Sequence, residues 1–513
     1  MGQLRSGWVL FKSRYLWIGS LIALIAGCVA IGLSGPSPQR VAFVDTIYLL
    51  DVAWRIVQGQ VAHAQIDSPI GMATFLGLAQ GMMWIGVDAR TFPVTQIAFA
   101  LLGWTAAMAV SRRRLSPYLS ALFSVWIGYM LLSQRPLTTA YWQTSYAAYY
   151  NRVAWALYLI LSLFAIVPSK GTGARSERGF FYGAVIGSGA MLLFLIKINA
   201  IVAFLPVIVL FFWLDASKAR LSGLLTGVVA IALLAKISIG VGMGDYALDL
   251  QQMAHIQGDV SRLGQIVQLL GTQWMSLSVL GTAAVFAWSG RWLALLPLVP
   301  GFLISLGNSQ SGETQSIALC AFLGTALLGE RSIRRRILGG WLATLLVLST
   351  FLSDVASTVI VAYKSLALDP SIERIDPFPP FVGEEGKAYA IQIRDGMTLL
   401  NRFDPDRRWC VHTLDAANPF PFGRRAPSPK RGFSFWHPGK LVDEAWAPSF
   451  EVLFSSVDAV MDPRFPQSKS AHTFFLSLYG FRIGKDFEKI GESPAWTLYR
   501  RRIHSQESFS GVK

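Results

Sequence analysis

Five polar residues near the start of the chain recur at spacings of three and four, which places them on one face of a helix. They are Asp45, Tyr48, Asp51, Arg55 and Gln58. Asp51 and Arg55 can form an i,i+4 ion pair, which is a sufficient structural reason for both residues. Asp45 has no such local partner. Its carboxylate is a candidate general base or cation ligand, and the alternative is that it caps the helix N-terminus.

The opposite face of this helix is apolar, with Ile47, Leu50 and Trp54 among its residues. An amphipathic helix of this kind favours a membrane interface. We therefore predict that the helix lies in the interface, turns its polar stripe into a protein cavity, and ends at Gly59.

His63 and Asp67 follow the helix. They could share a metal ion if their segment is helical, but two ligands do not define a metal site, and ordinary loop polarity is the alternative. Whether a metal binds stays open. Tyr48 and His63, with Tyr149 from a later loop, are candidates for contacts with an acceptor or between loops.

Three cations are candidates for binding a lipid phosphate: Lys197, Arg152 and Arg55. Lys197 lies between two apolar segments, where a lysine costs up to about 3 kcal/mol unless it reaches the interface or pairs with an anion. Arg152 stands at the outer end of a predicted span and suits bidentate phosphate binding. The alternative is that these side chains contact ordinary lipid headgroups.

Two further pairs of charged residues need partners. Asp245 and Asp249 in a later outer loop are spaced i,i+4 and repel unless a cation or base lies between them. Acceptor contact and a solvated amphipathic loop are both open for this segment. Lys236 and Asp354 are embedded in predicted spans and are expected to neutralise each other, although a proton-coupled transporter uses the same residue types.

The composition predicts the elements that carry these residues. The chain has 513 residues, 53% of them hydrophobic and 15% charged. Its repeated apolar stretches suit helices that cross a hydrocarbon core about 30 Å thick. This excludes a soluble enzyme, a disordered tail and a fibrous protein. Residues 365–513 carry 20 Lys and Arg against 18 Asp and Glu, so most of the net charge of +15 belongs to the membrane part.

Most of that positive charge lies in short loops between apolar segments, which is the positive-inside pattern and not a nucleic-acid patch. It predicts a multi-pass protein of a bacterial-type inner membrane, with its N-terminus in the cytoplasm and its C-terminal domain in the periplasm. About eleven spans fit this pattern, near residues 16–34, 93–111, 116–133, 151–168, 180–196, 199–214, 221–240, 273–289, 292–308, 315–329 and 337–361.

The segment 69–87 is apolar enough to cross, but a crossing there would reverse the charge pattern. We predict a juxtamembrane or re-entrant helix, whose Gly71, Gly77 and Gly81 suit close packing. A twelfth span is the alternative.

The chain divides into a membrane part, residues 1–364 with a first outer loop at 35–92, and a C-terminal part, residues 365–513. The C-terminal part is predicted to be a small α/β domain with helices at 388–400 and 471–478. Its predicted strands are Trp409–Leu414, Val457–Met461 and Trp496–Arg500. The predicted fold class is therefore mostly α: a polytopic helical membrane protein with juxtamembrane helices and an extracytoplasmic α/β domain.

A short motif follows the first span: Asp45, Tyr48, Ala53 and Gly59, then Asp67-Ser68-Pro69. With the basic N-terminus, it resembles the GT-C class of polyprenyl-phosphate-sugar-dependent glycosyltransferases. The many-span plan and the external domain extend the resemblance over nearly the whole chain. Residues 414–422 and 496–500 further resemble a poorly characterised bacterial branch with a periplasmic C-terminal domain.

The resemblance implies that Asp45 deprotonates an acceptor hydroxyl and that the donor is a hexose or pentose on polyprenyl phosphate. The acceptor would be a glycan, a lipid or a protein. An inverting displacement needs a base at the acceptor and positive charge at the departing phosphate. Residues 134–150 lack the acidic residue that many family members carry in this loop. Asp51, Asp67 and Glu313 are therefore candidates for acidic support, and a divalent cation stays open as a cofactor.

Two other functions stay open: a transporter or flippase of lipid-linked glycan, and a non-catalytic envelope-assembly protein. The sequence contains no internal repeat and no G-x-x-x-x-G-K-[ST], H-E-x-x-H or G-x-S-x-G motif. This argues against an ATP-driven pump, a zinc protease and the common serine hydrolases. No nucleic-acid partner is expected.

Overall fold

A computed structural model of the chain describes residues 2–40, 42–68, 70–137, 140, 142–169, 179–214, 216–240, 242–257, 333–366 and 372–502. These residues are mostly helical, with one four-stranded sheet in the C-terminal domain. Within these ranges, five helices are long and apolar enough to cross a membrane. The predicted fold class, a mostly α membrane protein with a small α/β domain, is confirmed.

Each of the eight predicted spans that lie in the described residues coincides with a helix, and three further helices, at residues 43–57, 73–85 and 243–257, lie outside the predicted spans. Their bounds are α1 Gly2–Ser34, α2 Phe43–Val57, α3 Ala73–Ile85, α4 Thr91–Ser111, α5 Pro117–Leu132, α6 Tyr149–Ile166, α7 Gly179–Ile196, α8 Ile198–Leu214, α9 Lys218–Ile239, α10 Met243–Gln257 and α11 Ile333–Leu366. The five span-length helices are α1, α4, α6, α7 and α9. The spans predicted at 273–289, 292–308 and 315–329 lie outside the described residues.

Local sequence signals set several helix ends. Ser116 accepts a hydrogen bond from the backbone of Leu119 at the start of α5, where Pro117 occupies the first helical position. Ser217 caps α9 in the same way, and Gly240 ends that helix in the left-handed conformation. These signals place the turns between neighbouring helices.

Helices α7 and α9 pack closely because both present glycines to each other. A Cβ on Gly183 or Gly187 of α7 would overlap the backbone of α9, and one on Gly223 or Gly227 would overlap α7. Such small-residue contacts are a common way for membrane helices to associate. The contact fixes α7, and Lys197 directly follows the end of that helix.

Helix α3 has 13 residues. At 1.5 Å per residue it is about 20 Å long, shorter than a hydrocarbon core of about 30 Å. This agrees with a juxtamembrane helix in the segment 69–87. Added Cβ atoms at Gly71, Gly77 and Gly81 would all meet neighbouring atoms at short range, as the close-packing prediction requires.

The described C-terminal domain contains the predicted helices and strands, and also one strand and two short helices that were not predicted. Its elements are α12 Gly383–Phe403, β1 Val411–Thr413, α13 Phe420–Arg424, α14 Phe450–Phe454, β2 Ala459–Pro463, α15 Lys469–Asp486, β3 Phe487–Glu492 and β4 Trp496–Arg501. The sheet order is β1-β2-β4-β3, with β1 and β2 parallel and the other pairs antiparallel. The unpredicted β3 is an edge strand whose only buried side chain is Phe487, so it lacks the apolar alternation that marks a strand.

Candidate active site

Asp45 is a partly buried carboxylate in the first turn of α2. The N-cap of that helix is Ala42, with no side-chain capping bond, so the capping alternative for Asp45 is wrong. Within the described ranges, the carboxylate forms no hydrogen bond or ion pair. Burial raises its pKa from the ordinary 3.8 to about 6. Such a carboxylate is mostly ionised at neutral pH and still basic enough to accept a proton.

Two tyrosines lie near Asp45. Burial raises the pKa of Tyr48, and the charge of Asp45 adds to this rise. The Tyr48 hydroxyl lies 3.1 Å from the hydroxyl of Ser68, and its ring is 5.6 Å from that of Phe435 in the C-terminal domain. The charge of Asp45 also acts on Tyr150 at the start of α6. Asp45 therefore lies where the first outer loop, the membrane part and the C-terminal domain meet.

Lys197 lies on the other side of this region, between α7 and α8. Its Nζ donates a hydrogen bond to Oδ1 of Asn151 at 2.6 Å and lies 5.3 Å from the centre of the Tyr150 ring. Burial lowers its pKa to about 8. Among the described residues, no carboxylate pairs with this ammonium group. Tyr150 is thus close to an unpaired carboxylate and to an unpaired cation.

The structure differs from the prediction for Arg152. Its guanidinium is only 1% exposed and donates to the carbonyls of Arg135 and Met130, each at 2.7 Å. It also lies 3.3 Å from Asp354, which contacts Arg135 at 3.0 Å. These contacts engage Arg152 inside the protein, away from a lipid phosphate. The predicted pair of Asp354 with Lys236 is wrong, because Asp354 on α11 contacts the two arginines while Lys236 is exposed.

The predicted ion pair between Asp51 and Arg55 is confirmed, with 3.1 Å between Oδ2 and Nε and both side chains almost fully buried. Arg55 also donates to the carbonyl of Gly432 in the C-terminal domain. Trp54 and Gln58 both donate to the carbonyl of Ala426. The C-terminal domain therefore covers the polar side of α2, which agrees with the prediction that this stripe faces the protein, and the position of the helix relative to the membrane stays a prediction. Arg55, held in this way, is not directed at a donor phosphate.

His63 pairs with α10 and not with Asp67. Its Nδ1 lies 2.7 Å from Asp249, and its ring stacks on Tyr246 at 4.2 Å. Asp249 also accepts a bond from the backbone of Ser68. His63 thus gives Asp249 a hydrogen-bonding partner. The described residues contain no group of three or more His, Cys, Asp or Glu side chains placed to hold a metal ion.

The remaining candidates are placed as follows. Asp67 lies beside Gly432, and burial together with the charge of Asp249 raises its pKa to about 6. The hydroxyl of Tyr149 donates to the carbonyl of Leu131 at 2.8 Å inside the membrane part, which does not bring it to Asp45. Glu313 lies outside the described residues.

Sequence reasoning missed the role of Asn151 and Tyr150 around Lys197. Tyr150 is one of several aromatic residues in the second outer loop, and Asn151 directly precedes Arg152. Neither residue has a spacing that points to Lys197. Only the approach of α6 to the junction of α7 and α8 brings them together.

The fold and these contacts define the class of the molecule: a multi-span helical membrane protein in which the segment 35–92 packs against a small α/β domain. No family model and no curated protein matches the chain. Among solved structures, it is similar to ArnT from Cupriavidus metallidurans bound to undecaprenyl phosphate, with 11% identity over 97% of this chain and 98% of that chain and a TM-score of 0.48. The apo state of ArnT covers 94% of this chain and 98% of its own, with 12% identity and a TM-score of 0.43. This likeness concerns the fold alone. At such low identities and TM-scores the likeness assigns no residue roles, which come from the contacts within this chain.

Proposed function

We propose that the chain is a GT-C-type glycosyltransferase that moves a sugar from a polyprenyl-phosphate donor to an acceptor on the periplasmic side of the inner membrane. One observation carries the proposal: the charge of Asp45 acts on Tyr150, the ammonium of Lys197 lies 5.3 Å from the centre of the Tyr150 ring, and neither group has an ionic partner among the described residues. An unpaired base and an unpaired cation in one region are what this reaction requires.

The roles of the two groups follow from the chemistry of an inverting displacement. Asp45 accepts the proton of the acceptor hydroxyl while the hydroxyl oxygen attacks the anomeric carbon. The bond from that carbon to the phosphate oxygen breaks, and polyprenyl phosphate leaves with the electron pair. Lys197 stabilises the negative charge that develops on the departing phosphate. The acceptor proton ends on Asp45, so atoms and charge balance.

The position of Lys197 suits a donor whose phosphate is anchored by a lipid. The residue directly follows α7, which is long and apolar enough to cross a membrane, and precedes the apolar helix α8. A lysine at the end of a span can reach the interface, where lipid phosphates lie. The donor's polyprenyl chain would remain in the bilayer while its phosphate meets the ammonium group.

Transport and envelope assembly are the rival functions. Transport drew its support from a pair of Lys236 with Asp354, and the structure holds Asp354 between Arg135 and Arg152 instead. That buried cluster has a structural role in linking α11 to α6. No contact in the described residues specifically favours assembly over catalysis.

The test is transfer of radiolabelled sugar from a panel of polyprenyl-phosphate donors in proteoliposomes. We expect product from the parent chain and a loss of about a hundredfold or more in Asp45→Asn and in Lys197→Gln. Asp406→Asn and Lys469→Gln make the same chemical changes at exposed positions of the C-terminal domain and should retain activity.

The outcomes separate the roles from the function. A folded Asp45→Asn that transfers sugar as fast as the parent would show that Asp45 is not the base. Absence of transfer by the parent across a broad donor and acceptor panel would overturn the enzyme and favour transport or assembly.

A further inference from the structure

We propose that Asn151 is a positioning residue that holds Lys197 in place with a neutral hydrogen bond and so leaves its charge available to the phosphate of a lipid-linked donor. The identity of the anion rests on the proposed function. The placement of Lys197 rests only on the contacts of this chain.

The contacts of Lys197 leave part of its donor capacity unused. An ammonium group has three hydrogens to donate. Oδ1 of Asn151 accepts one at 2.6 Å, and the Tyr150 ring faces the group at 5.3 Å. A ring at this distance stabilises a cation without neutralising it. Two N–H groups therefore have no acceptor among the described residues and can donate to an anion.

Asn151 is itself fixed by its surroundings. It is only 3% exposed and lies in the first turn of α6, where its backbone N–H donates to the carbonyl of Ala148 at 2.9 Å. The next residue, Arg152, anchors the same turn through Asp354. A side chain held on a rigid turn can fix the position of a flexible lysine, whose rotamers are otherwise costly to order.

Within the described ranges, the following three buried arginines have a carboxylate partner, unlike Lys197, whereas the buried Arg114 donates to the carbonyls of Val167 and Val110. Arg55 contacts Asp51, Arg152 contacts Asp354, and Arg424 contacts Asp404. Each of these carboxylates offsets the charge of its partner. At Lys197 the position of a carboxylate is taken by an amide of nearly the same shape. The amide keeps the lysine in place and keeps the local charge positive.

The decisive variant is Asn151→Asp, which keeps the shape of the side chain and adds the missing carboxylate. The new ion pair competes with the donor phosphate, so we expect the donor KM to rise about tenfold or more, with a smaller change in kcat. The carboxylate also favours the charged lysine, so the alkaline limb of the KM profile should move to higher pH. A residue with only a structural role would not move this limb.

Two further variants control the experiment. Asn199→Asp adds the same charge two residues beyond Lys197 and should change the donor KM less. Asn151→Leu removes the oxygen that accepts the hydrogen bond from Lys197 and adds no charge. If Asn151→Asp does not fold, the leucine variant tests the positioning role instead, because a folded leucine variant should also lose affinity for the donor. An unchanged donor KM in either folded Asn151 variant, or equal effects of Asn151→Asp and Asn199→Asp, would overturn the proposal.

Binding of undecaprenyl phosphate without a sugar, followed by native mass spectrometry, separates this proposal from the proposed function. One outcome is that the parent binds the lipid, that Asn151→Asp binds it at least tenfold more weakly, and that no sugar is transferred. This outcome would support the positioning role of Asn151 and refute the proposed glycosyltransferase function. If the parent transfers sugar and Asn151→Asp binds the lipid and the donor as the parent does, the glycosyltransferase function is supported and the positioning role of Asn151 is refuted. Competition by inorganic phosphate tells whether the lipid chain contributes to the affinity.

Discussion

Asp45 and Asp51 are two carboxylates of helix α2. The structure predicts that replacement by Asn raises the stability of the folded protein at Asp45 and lowers it at Asp51. The carboxylate of Asp45 forms no hydrogen bond or ion pair with the part of the chain that the structure describes, and burial raises its pKa from 3.8 to about 6. Because the folded chain holds this proton more tightly than the unfolded chain, folding is favoured when the group is protonated. The contribution of Asp45 to the free energy of unfolding is fully present below about pH 4 and is lost as the pH rises through about 6.

The size of the effect follows from the pKa values. At about 1.4 kcal/mol for each pKa unit, a rise from 3.8 to about 6 corresponds to about 3 kcal/mol, which partial exposure of the carboxylate reduces to about 2 kcal/mol. Asp45→Asn removes this cost. We therefore expect the variant to lose transfer activity and yet unfold at a temperature about 2–5 °C higher near pH 8.

Asp51→Asn is the matched control. It leaves the almost fully buried Arg55 without its carboxylate, so the variant should be destabilised by about 3–5 kcal/mol. Thermal unfolding of both variants in detergent, followed by tryptophan fluorescence, measures the two changes. The advantage of Asp45→Asn should shrink as the pH falls from about 6 to about 4. A lower unfolding temperature for Asp45→Asn near pH 8 would refute the interpretation that Asp45 is an unpaired carboxylate with a pKa raised by burial. A rise in unfolding temperature that does not depend on pH would refute it as well.

Three other variants test the contacts that position the site. Asp354→Asn leaves two buried arginines without their shared carboxylate, and we expect a loss of about 3–5 kcal/mol, seen as a lower unfolding temperature; an unchanged temperature would contradict the cluster. Gly187→Ala places a Cβ against the backbone of α9 and should lower the unfolding temperature in the same assay. Gly19→Ala, with open space around it, should not, and equal effects of the two variants would argue against the close contact of α7 with α9. Asp249→Asn removes the carboxylate from His63, so hydrogen exchange should become faster in residues 58–68 and 243–257, and an unchanged exchange rate would show that this pair does not hold the loops together.

The contacts predicted correctly from the sequence are local ones. The pair of Asp51 with Arg55 follows from helical spacing alone, and the helices of the membrane part follow from hydropathy. In the C-terminal domain, β4 follows from the apolar alternation of Trp496 and Leu498, both of which are buried. Such patterns are fixed within one element, so neighbouring residues carry the information.

The contacts that sequence reasoning missed join distant segments. His63 and Asp249 are 186 positions apart, and Lys197 and Asn151 are 46 apart. Charge alone cannot choose among many possible partners, because the choice depends on which helices pack together. The same limit explains the error at Asp354, whose partners are set by the packing of α11. The hydropathy of α2 likewise does not reveal which part of the chain covers its polar face, because the cover is a domain more than 300 residues later.

The hydrogen bonds from α2 to the C-terminal domain go mainly to main-chain atoms. Trp54 and Gln58 donate to the carbonyl of Ala426, and Gln58 accepts from the backbone of Ser428. Each such bond is worth only about 1 kcal/mol. The apolar side of the contact is larger: Phe43 stacks on Tyr389 at 5.0 Å, and Tyr48 lies 5.6 Å from Phe435, within a core that α2 shares with this domain. Burial of these rings therefore supplies most of the attraction between the two surfaces, and the hydrogen bonds to main-chain atoms set their alignment.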